Sequence, residues 1–242
     1  MYLSRLTLNQ RNAQVRAELA RPYEMHRTLL RAFPQGVVDK NRDEDDAAGV
    51  LFRVDEKPGE NLITVLVQSR IAPDWSFLNE KRDVRGHAYL LGPSESKPFD
   101  LKLVAGQTLA FRLRANPTRR LGKSAGADKG KRVGIYKEED QLKWLQEKME
   151  GNEHRRQLAG GFHLLRAQIS REEKIENPNA INRADQSHDL KVFAVQFDGV
   201  LQVVDPVKAI QTIEVGIGSA KGFGFGLPSV APIRGDGNAN PA

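Results

Sequence analysis

Cysteine is absent from the 242-residue chain. Disulfide bonds, thiol catalysis and cysteine-ligated zinc are therefore excluded. Long apolar runs are also missing, and none approaches the roughly 20 residues needed to cross a bilayer. The amino terminus lacks the positively charged region and apolar block of an export signal. Together, these absences lead us to expect a cytoplasmic protein.

The remaining composition is typical of a globular protein with an excess of positive charge. Hydrophobic residues make up 39% of the chain and charged residues 28%. A chain of this length can form two domains of about 110 to 120 residues, each able to bury a core. The net charge of +6 favours a polyanionic partner.

The segment 22–31 predicts a helix, because Pro22 is tolerated in a first turn and good helix formers follow it. Helical spacing creates one apolar face that can pack against a sheet. That face consists of Met25, Leu29, Ala32 and Phe33. The adjoining face carries Tyr23, His26 and Arg27, a trio able to transfer protons and offset charge at a phosphodiester. A surface or packing role for the histidine is the alternative.

Alternating and turn-forming residues predict the element order of residues 1–116. Strands are expected at 2–8, 50–55, 62–69 and 107–115, with the helix above and a weaker one at 73–78. This order fits an α+β ferredoxin-like domain, with helices on one face of an antiparallel sheet. Between residues 34 and 49, an acidic run indicates a solvated loop more than a metal site.

Positive charge is concentrated between residues 114 and 132. Glycines interrupt this stretch, so we expect a flexible basic linker at 117–131. Its cations are candidates for neutralising phosphates of a nucleic acid, although a solvated loop has the same composition. Together with Arg112 on the basic face of the preceding strand, they are Arg114, Arg119, Arg120, Lys123, Lys129, Lys131 and Arg132.

The second half, residues 132–231, is expected to repeat the ferredoxin-like order. We predict a strand at 132–136, helices at 138–150 and 206–215, and strands at 162–169 and 225–230. Asp198-Gly199 indicates a two-residue turn between strands 190–197 and 200–204. A polar excursion at 170–189 contains Arg171, Lys174 and Arg183, which either enter an RNA groove or are solvated. Residues 232–242 are expected to form a disordered tail.

A glycine-rich segment at 216–226 separates the last helix from the last strand. Its backbone can approach phosphates closely, and its lysine adds charge; the alternative is a tight loop or bulged strand. The candidate phosphate contacts are Gly216, Gly218, Lys221, Gly224 and Gly226. The Gly-Lys-Ser/Thr ending of a nucleotide P-loop is missing, which disfavours a nucleotide-binding enzyme. The other histidines are too widely spaced to predict a zinc site.

Three motifs together resemble one family. They are Tyr-x-x-His-Arg at 23–27, Phe-Arg-Leu-Arg-Ala-Asn-Pro at 111–117, and Gly-h-Gly-x5-Gly-h-Gly at 216–226, where h is apolar. The chain resembles the CRISPR repeat endoribonucleases of the type I-E Cascade complex, the CasE family. The resemblance implies tandem ferredoxin-like domains that bind the hairpin of precursor CRISPR RNA and cut at the base of its stem.

The same resemblance implies roles for particular residues and partners. His26 falls on the catalytic histidine of the family and Tyr23 on the tyrosine that assists it. Cleavage needs no metal or other cofactor, and the enzyme stays with its product as a subunit of Cascade. By charge, Arg27 or Arg31 is expected to stabilise the transition state. The alternative is a noncatalytic subunit that binds the RNA hairpin and scaffolds the assembly.

Overall fold

The computed structural model describes residues 1–37, 48–57, 62–151, 160–181 and 187–233. The first part of the chain contains β1 (Tyr2–Leu8), α1 (Ala13–Ala20), α2 (Pro22–Leu30), β2 (Leu51–Lys57), β3 (Leu62–Ser69), α3 (Ser76–Asn79) and β4 (Glu95–Pro98). The second part contains β5 (Thr108–Ala115), β6 (Thr118–Arg120), β7 (Arg132–Gly134), α4 (Glu138–Glu150), β8 (Phe162–Ile181), β9 (Ser187–Val203), α5 (Pro206–Val215) and β10 (Pro228–Pro232). Short 3-10 helices lie at Lys123–Asp128 and Lys221–Phe223.

The strands form two four-stranded antiparallel sheets and one two-stranded ribbon. The strand order is β2-β3-β1-β4 in the first sheet, β10-β5-β9-β8 in the second, and β6-β7 in the ribbon. The predicted α+β class, with tandem ferredoxin-like units on antiparallel sheets, is confirmed. The predicted strand at 132–136 is shorter than expected and belongs to the ribbon.

Capping explains where the helices begin. The side chain of Asn12 accepts hydrogen bonds from two backbone N–H groups at the start of α1. Asp205 does the same for α5, which has Pro206 in its first turn, and Pro22 occupies that position in α2. The predicted helices at these two prolines are confirmed, whereas α1 was not predicted.

The strand at 107–115 was predicted to close the first sheet, and this is wrong. As β5 it pairs with β9 on one side, where Leu113 is opposite Phe197, and with β10 on the other side, where Leu113 is opposite Pro228. Its apolar face packs into the second core with Phe111 and Leu113. The first sheet is completed instead by β4, whose four exposed residues give no apolar alternation. A domain boundary at residue 116 therefore separates β5 from the sheet to which it belongs.

The long hairpin formed by β8 and β9 shows that two sequence-based predictions are wrong. β8 continues to Ile181, so Arg171 and Lys174 lie on a strand and not in a polar excursion. β9 runs straight through Asp198-Gly199, which therefore form no turn. A Cβ on Gly199 would lie 2.1 Å from the carbonyl oxygen of Arg166, beside a register shift in β8. This glycine is required by close strand approach at a bulge.

Each large sheet has its own core, and the two halves are also joined directly. The first core includes Leu6, Met25 and Phe52, and the second includes Leu145 and Phe197. Gln68 Nε2 donates a hydrogen bond to the carbonyl oxygen of Ile213, at 2.9 Å, across the boundary. Segments from both halves therefore meet in a defined geometry. The predicted tail falls mainly outside the described residues, although Pro232 ends β10.

Candidate active site and nucleic-acid interface

Helix α2 buries one face and presents the other, as its spacing predicts. Met25 and Leu29 are each 1% exposed in the first core. Tyr23 on the other face is 43% exposed, and His26 is half-buried. Thr28 Oγ1 donates to the carboxylate of Glu18 at 2.7 Å, which holds α2 against α1. The packing of α2 therefore fixes the positions of Tyr23 and His26 on the exposed side of the helix.

The glycine-rich segment of the second half packs against this pair. The rings of Tyr23 and Phe223 are 5.7 Å apart, and those of Tyr23 and His26 are 6.0 Å apart. A Cβ on Gly222 would lie 3.2 Å from Cδ2 of His26. The structure thus brings together two motifs that lie about 200 positions apart in the chain, as the printed numbering shows.

His26 is further held by an aromatic residue from β2. Its imidazole stacks on Phe52, with ring centroids 5.9 Å apart and an angle of 11° between the planes. The Nδ1 atom of His26 is buried. Stacking and burial restrict the rotation of the ring, so the Nδ1 edge of the imidazole faces the protein.

Positive φ angles explain why glycine occupies the four positions that were predicted to contact phosphate. Gly216, Gly218, Gly224 and Gly226 all have φ between 78° and 88°, where a side chain is strained. The segment is closed by the N–H of Ile217 donating to the carbonyl oxygen of Gly226, at 2.8 Å. These glycines shape a tight loop against α2 and β2. Their contact with phosphate stays a prediction.

Three further candidates at the site have protein contacts of their own. Arg27 forms a 3.0 Å ion pair with Glu24 on the exposed surface, and the guanidinium of Arg31 lies 4.9 Å above the ring of Phe77. Lys221 begins the 3-10 helix that faces Tyr23 and His26. Exposed ion pairs contribute only about 0–1 kcal/mol, so Arg27 can exchange Glu24 for a phosphate at little cost.

The predicted basic linker is an ordered ribbon with its connecting segment. Thr118 Oγ1 and Ser219 Oγ are 3.3 Å apart, which places the base of the ribbon beside the glycine loop. Lys131 pairs with Asp128 at 3.6 Å. The exposed cations of the ribbon are Arg119, Arg120, Lys129, Lys131 and Arg132. Lys123 lies in the connecting 3-10 helix, and its side chain is outside the described residues.

The predicted cations on the second sheet are paired with carboxylates. Arg112 Nε lies 2.6 Å from Asp198, and Arg114 Nη2 lies 2.8 Å from Glu173. Burial lowers the pKa of Arg114, whereas the hydrogen bond to Asp198 raises the pKa of Arg112. Partial burial raises the pKa of Asp198, but hydrogen bonds from Arg112 and Ser170 outweigh it and the net pKa is lowered. Both arginines are paired within the protein, Arg112 on the exposed surface and Arg114 in a largely buried position.

The predicted RNA-binding cations on β8 have surroundings that differ from those of Arg112 and Arg114. Arg171 contacts Glu56 at 3.5 Å and Glu173 at 3.2 Å, which links the second sheet to β2 of the first. Lys174 is exposed and lines a cleft between α2 and the hairpin, together with Phe223. Arg183 lies outside the described residues. Lys174 shares this cleft with two residues of the glycine-rich segment, Phe223 and Gly224.

Phe52, Phe223 and Arg53 were not predicted as site residues. Phe223 stood within the glycine motif, but only its glycines and lysine were assigned a role. Phe52 and Arg53 lie on β2, where alternation indicates a strand without indicating its neighbours. Their relation to His26 depends on how the two halves meet, and no local pattern encodes it.

Within the ranges that the structure describes, no three histidine, aspartate or glutamate side chains converge as metal ligands do. The acidic run near residues 39–46 lies outside those ranges. Among the described helices, none has the length and apolar character needed to cross a membrane.

Comparison with known proteins defines the class. A family model described as CRISPR associated protein matches residues 1–232. The CRISPR-associated endoribonuclease Cse3 of Thermus thermophilus is 37% identical over 238 residues, covering 96% of this chain and 100% of the relative. The Cascade subunit CasE of Escherichia coli is 31% identical over 240 residues, covering 96% and 100%.

The structural comparison agrees. A structure of Cse3 bound to a 19-nucleotide RNA superposes with a TM-score of 0.76 and 36% identity, covering 96% of this chain and 100% of that one. The chain therefore belongs to the Cse3/CasE (Cas6e) family of CRISPR-associated endoribonucleases of the type I-E Cascade. The family resemblance inferred from the three motifs is confirmed.

Proposed function

We propose that this protein is a metal-independent endoribonuclease that binds the hairpin of a precursor CRISPR RNA repeat and cleaves it at the base of the stem. The observation that carries the proposal is the Tyr23–His26 pair, packed under the glycine loop, whose Ser219 lies beside the base of the basic ribbon. The relative Cse3 is named an endoribonuclease and has been solved with RNA. Because CasE is named a Cascade subunit, we include assembly with other Cascade subunits in the cytoplasm.

The chemistry uses the 2′-hydroxyl of the RNA as its nucleophile. The 2′-oxygen bonds to phosphorus while the bond from phosphorus to the 5′-oxygen of the next nucleotide breaks. The 2′-hydroxyl loses a proton and the departing 5′-oxygen gains one, which leaves a 2′,3′-cyclic phosphate and a 5′-hydroxyl end. The protein has only to align these atoms and to manage protons and charge.

His26 performs one of the two proton transfers in this scheme. With Nδ1 buried, Nε2 is the ring nitrogen that meets the RNA. The Tyr23 hydroxyl orients the phosphate or the 2′-hydroxyl, as its exposed position next to His26 allows. Arg27 or Arg31 offsets the charge of the pentacoordinate transition state after leaving its present partner.

RNA binding is assigned to the exposed cations around this pair. The ribbon residues Arg119, Arg120 and Arg132 neutralise phosphates, and Lys174 and Lys221 extend the positive surface toward His26. Shape and backbone contacts dominate recognition of A-form RNA, so charged side chains on a protruding ribbon suit a stem.

The proposal is tested by incubating the wild-type protein in EDTA with the hairpin repeat RNA of its source organism. We expect one cut, with a cyclic phosphate on the 5′ product and a 5′-hydroxyl on the other. An RNA with a single 2′-deoxy substitution at the cut position is expected to bind and remain whole. Cleavage of that RNA would overturn the mechanism, and binding of the natural hairpin without cleavage would favour a noncatalytic scaffold.

Gly224→Ala is expected to slow cleavage, because Gly224 has φ 79° and a Cβ would lie 3.0 Å from the Phe52 ring that supports His26. Left-handed backbone costs a non-glycine residue roughly 1–2 kcal/mol. Gly106→Ala is the matched control, since it has φ 83° but no atom within 4 Å of its Cβ. Both variants carry the backbone strain, and Gly224→Ala alone should lose single-turnover rate at a temperature where both variants are folded. Equal rates in the two variants would contradict a role for Phe52 in holding His26.

A further inference from the structure

Tyr136, two residues beyond the end of β7, presents a large aromatic ring to solvent. Its side chain is 69% exposed, although aromatic side chains are usually buried to a greater extent. The ring is nevertheless fixed by two contacts. It packs edge-on against Phe193 at 5.2 Å, and it folds back over Gly134, where a Cβ would lie 2.8 Å from the ring. Tyr136 is thus exposed and held in place.

The ribbon beside this ring carries two like charges in direct opposition. Arg120 and Arg132 are cross-strand partners in the β6-β7 pairing, and both are exposed. Like charges placed directly opposite each other destabilise a strand pair. An anion lying between the two guanidinium groups removes this repulsion. In an extended chain, Arg132, Gly134 and Tyr136 face the same side, so the ring and the paired arginines share one surface.

We propose that Tyr136 stacks on an unpaired nucleobase of the RNA, while Arg120 and Arg132 bind the adjacent phosphate. An exposed aromatic next to backbone-binding cations is the arrangement by which proteins hold single-stranded nucleic acid. Bases within a stem are already stacked, so the occupant is a base in a loop or a flank. This proposal rests on the RNA-binding part of the proposed function.

The surroundings of the ring orient the bound strand. The first turn of α4 contains Glu138, Glu139 and Asp140, which repel phosphate on that side. The cationic ribbon lies on the other side, and its base meets the glycine loop through Thr118 and Ser219. The RNA backbone therefore passes over the ribbon toward the Tyr23–His26 pair. Tyr136 itself takes no part in the chemistry at His26.

The test compares Tyr136→Leu and Tyr136→Phe with the wild-type chain, using hairpin RNA that carries the 2′-deoxy substitution at the cut position. Stacking on an aromatic contributes enough per base that its loss weakens binding about 5- to 150-fold. Tyr136→Leu is expected to weaken RNA binding by such a factor, whereas Tyr136→Phe keeps the wild-type affinity. Val84→Ala, at a fully exposed apolar residue, is the control and should bind as the wild type does.

A spectroscopic readout identifies stacking directly. A single 2-aminopurine is placed at each unpaired position of the hairpin RNA in turn. One position should be quenched by the wild type and by Tyr136→Phe, but not by Tyr136→Leu.

Other results of these binding and quenching measurements would overturn the stacking site or the proposed catalysis. Equal affinity of Tyr136→Leu and wild type overturns the stacking site, as does quenching that survives in Tyr136→Leu. Equal losses in both variants show that the hydroxyl, not the ring, makes the contact, which also overturns it. Absence of RNA binding by the wild type defeats this site together with the proposed function. Tyr136-dependent binding without cleavage defeats catalysis alone.

Discussion

Replacement of His26 by alanine is expected to slow RNA cleavage by about 100- to 10,000-fold at saturating protein, the range that a general acid or base supplies. The imidazole is stacked on Phe52 and packed beside Gly222, so its position is set before RNA binds. Removing it deletes one proton transfer and leaves the basic ribbon intact. RNA affinity should therefore change little while the single-turnover rate falls.

A matched histidine variant separates this role from a general effect of losing an imidazole. His163 is 53% exposed and pairs with Glu150 at 2.8 Å on β8. His163→Ala should cut at the wild-type rate, with EDTA present in both reactions. A His26→Ala protein that still cuts at that rate would remove His26 from the mechanism. A variant that fails to bind would show that His26 supports the RNA surface instead.

Features that depend on nearby residues were predictable from the sequence. The proline start of α2, the Asp205-Pro206 start of α5 and the apolar period of α4 lie within single segments. The buried and exposed faces of α2 followed from spacing alone, which located Tyr23 and His26 on an accessible surface. These signals are local, and so are the forces that produce the elements.

Features that depend on distant partners were not predictable in the same way. Alternation predicted a strand at 107–115, but the place of this strand in the second sheet depends on β9 and β10. Asp198-Gly199 has the composition of a turn, yet pairing with strands on both sides extends it. Hydrogen-bonding partners on two edges outweigh a two-residue turn preference.

The candidate site shows the same division. His26 was identified from its own helix and from the family motif, whereas its neighbours Phe52 and Phe223 come from two other segments. Cations were predicted to contact RNA from charge alone. Arg112 and Arg114 pair with carboxylates that lie about 60 to 90 positions away in the sequence, and their contact with RNA stays a prediction. Charge density locates a basic surface but does not identify which cations are already paired.

Arg53→Met is expected to lower the free energy of unfolding by about 3 kcal/mol, because breaking a buried ion pair leaves its partner uncompensated. The Arg53 side chain is 7% exposed, and its guanidinium contacts both oxygens of Asp55, at 2.7 and 2.9 Å. Its Nη1 donates to Ser229 Oγ at 2.7 Å, which ties β2 to β10 of the other half. For a chain of this size, the melting temperature should fall by about 6–12 °C.

The control for Arg53 is the same substitution at an exposed ion pair. Arg5 contacts both oxygens of Glu95, and the two side chains are 58% and 59% exposed. Arg5→Met should therefore leave the melting temperature close to that of the wild type, because an exposed ion pair contributes little to stability. Equal shifts in melting temperature would show that burial of the Arg53 pair does not set its contribution.

The position of Arg53 also links this stability to the site. Phe52, its neighbour on β2, supports His26, and successive residues of a strand face opposite sides. Ser229 lies on β10, directly after the glycine loop that covers Tyr23 and His26. Losing the link allows β2 and the loop to shift relative to each other. Arg53→Met should thus slow single-turnover cleavage well below its melting temperature, whereas Arg5→Met should not. An unchanged rate in Arg53→Met would confine this arginine to a structural role.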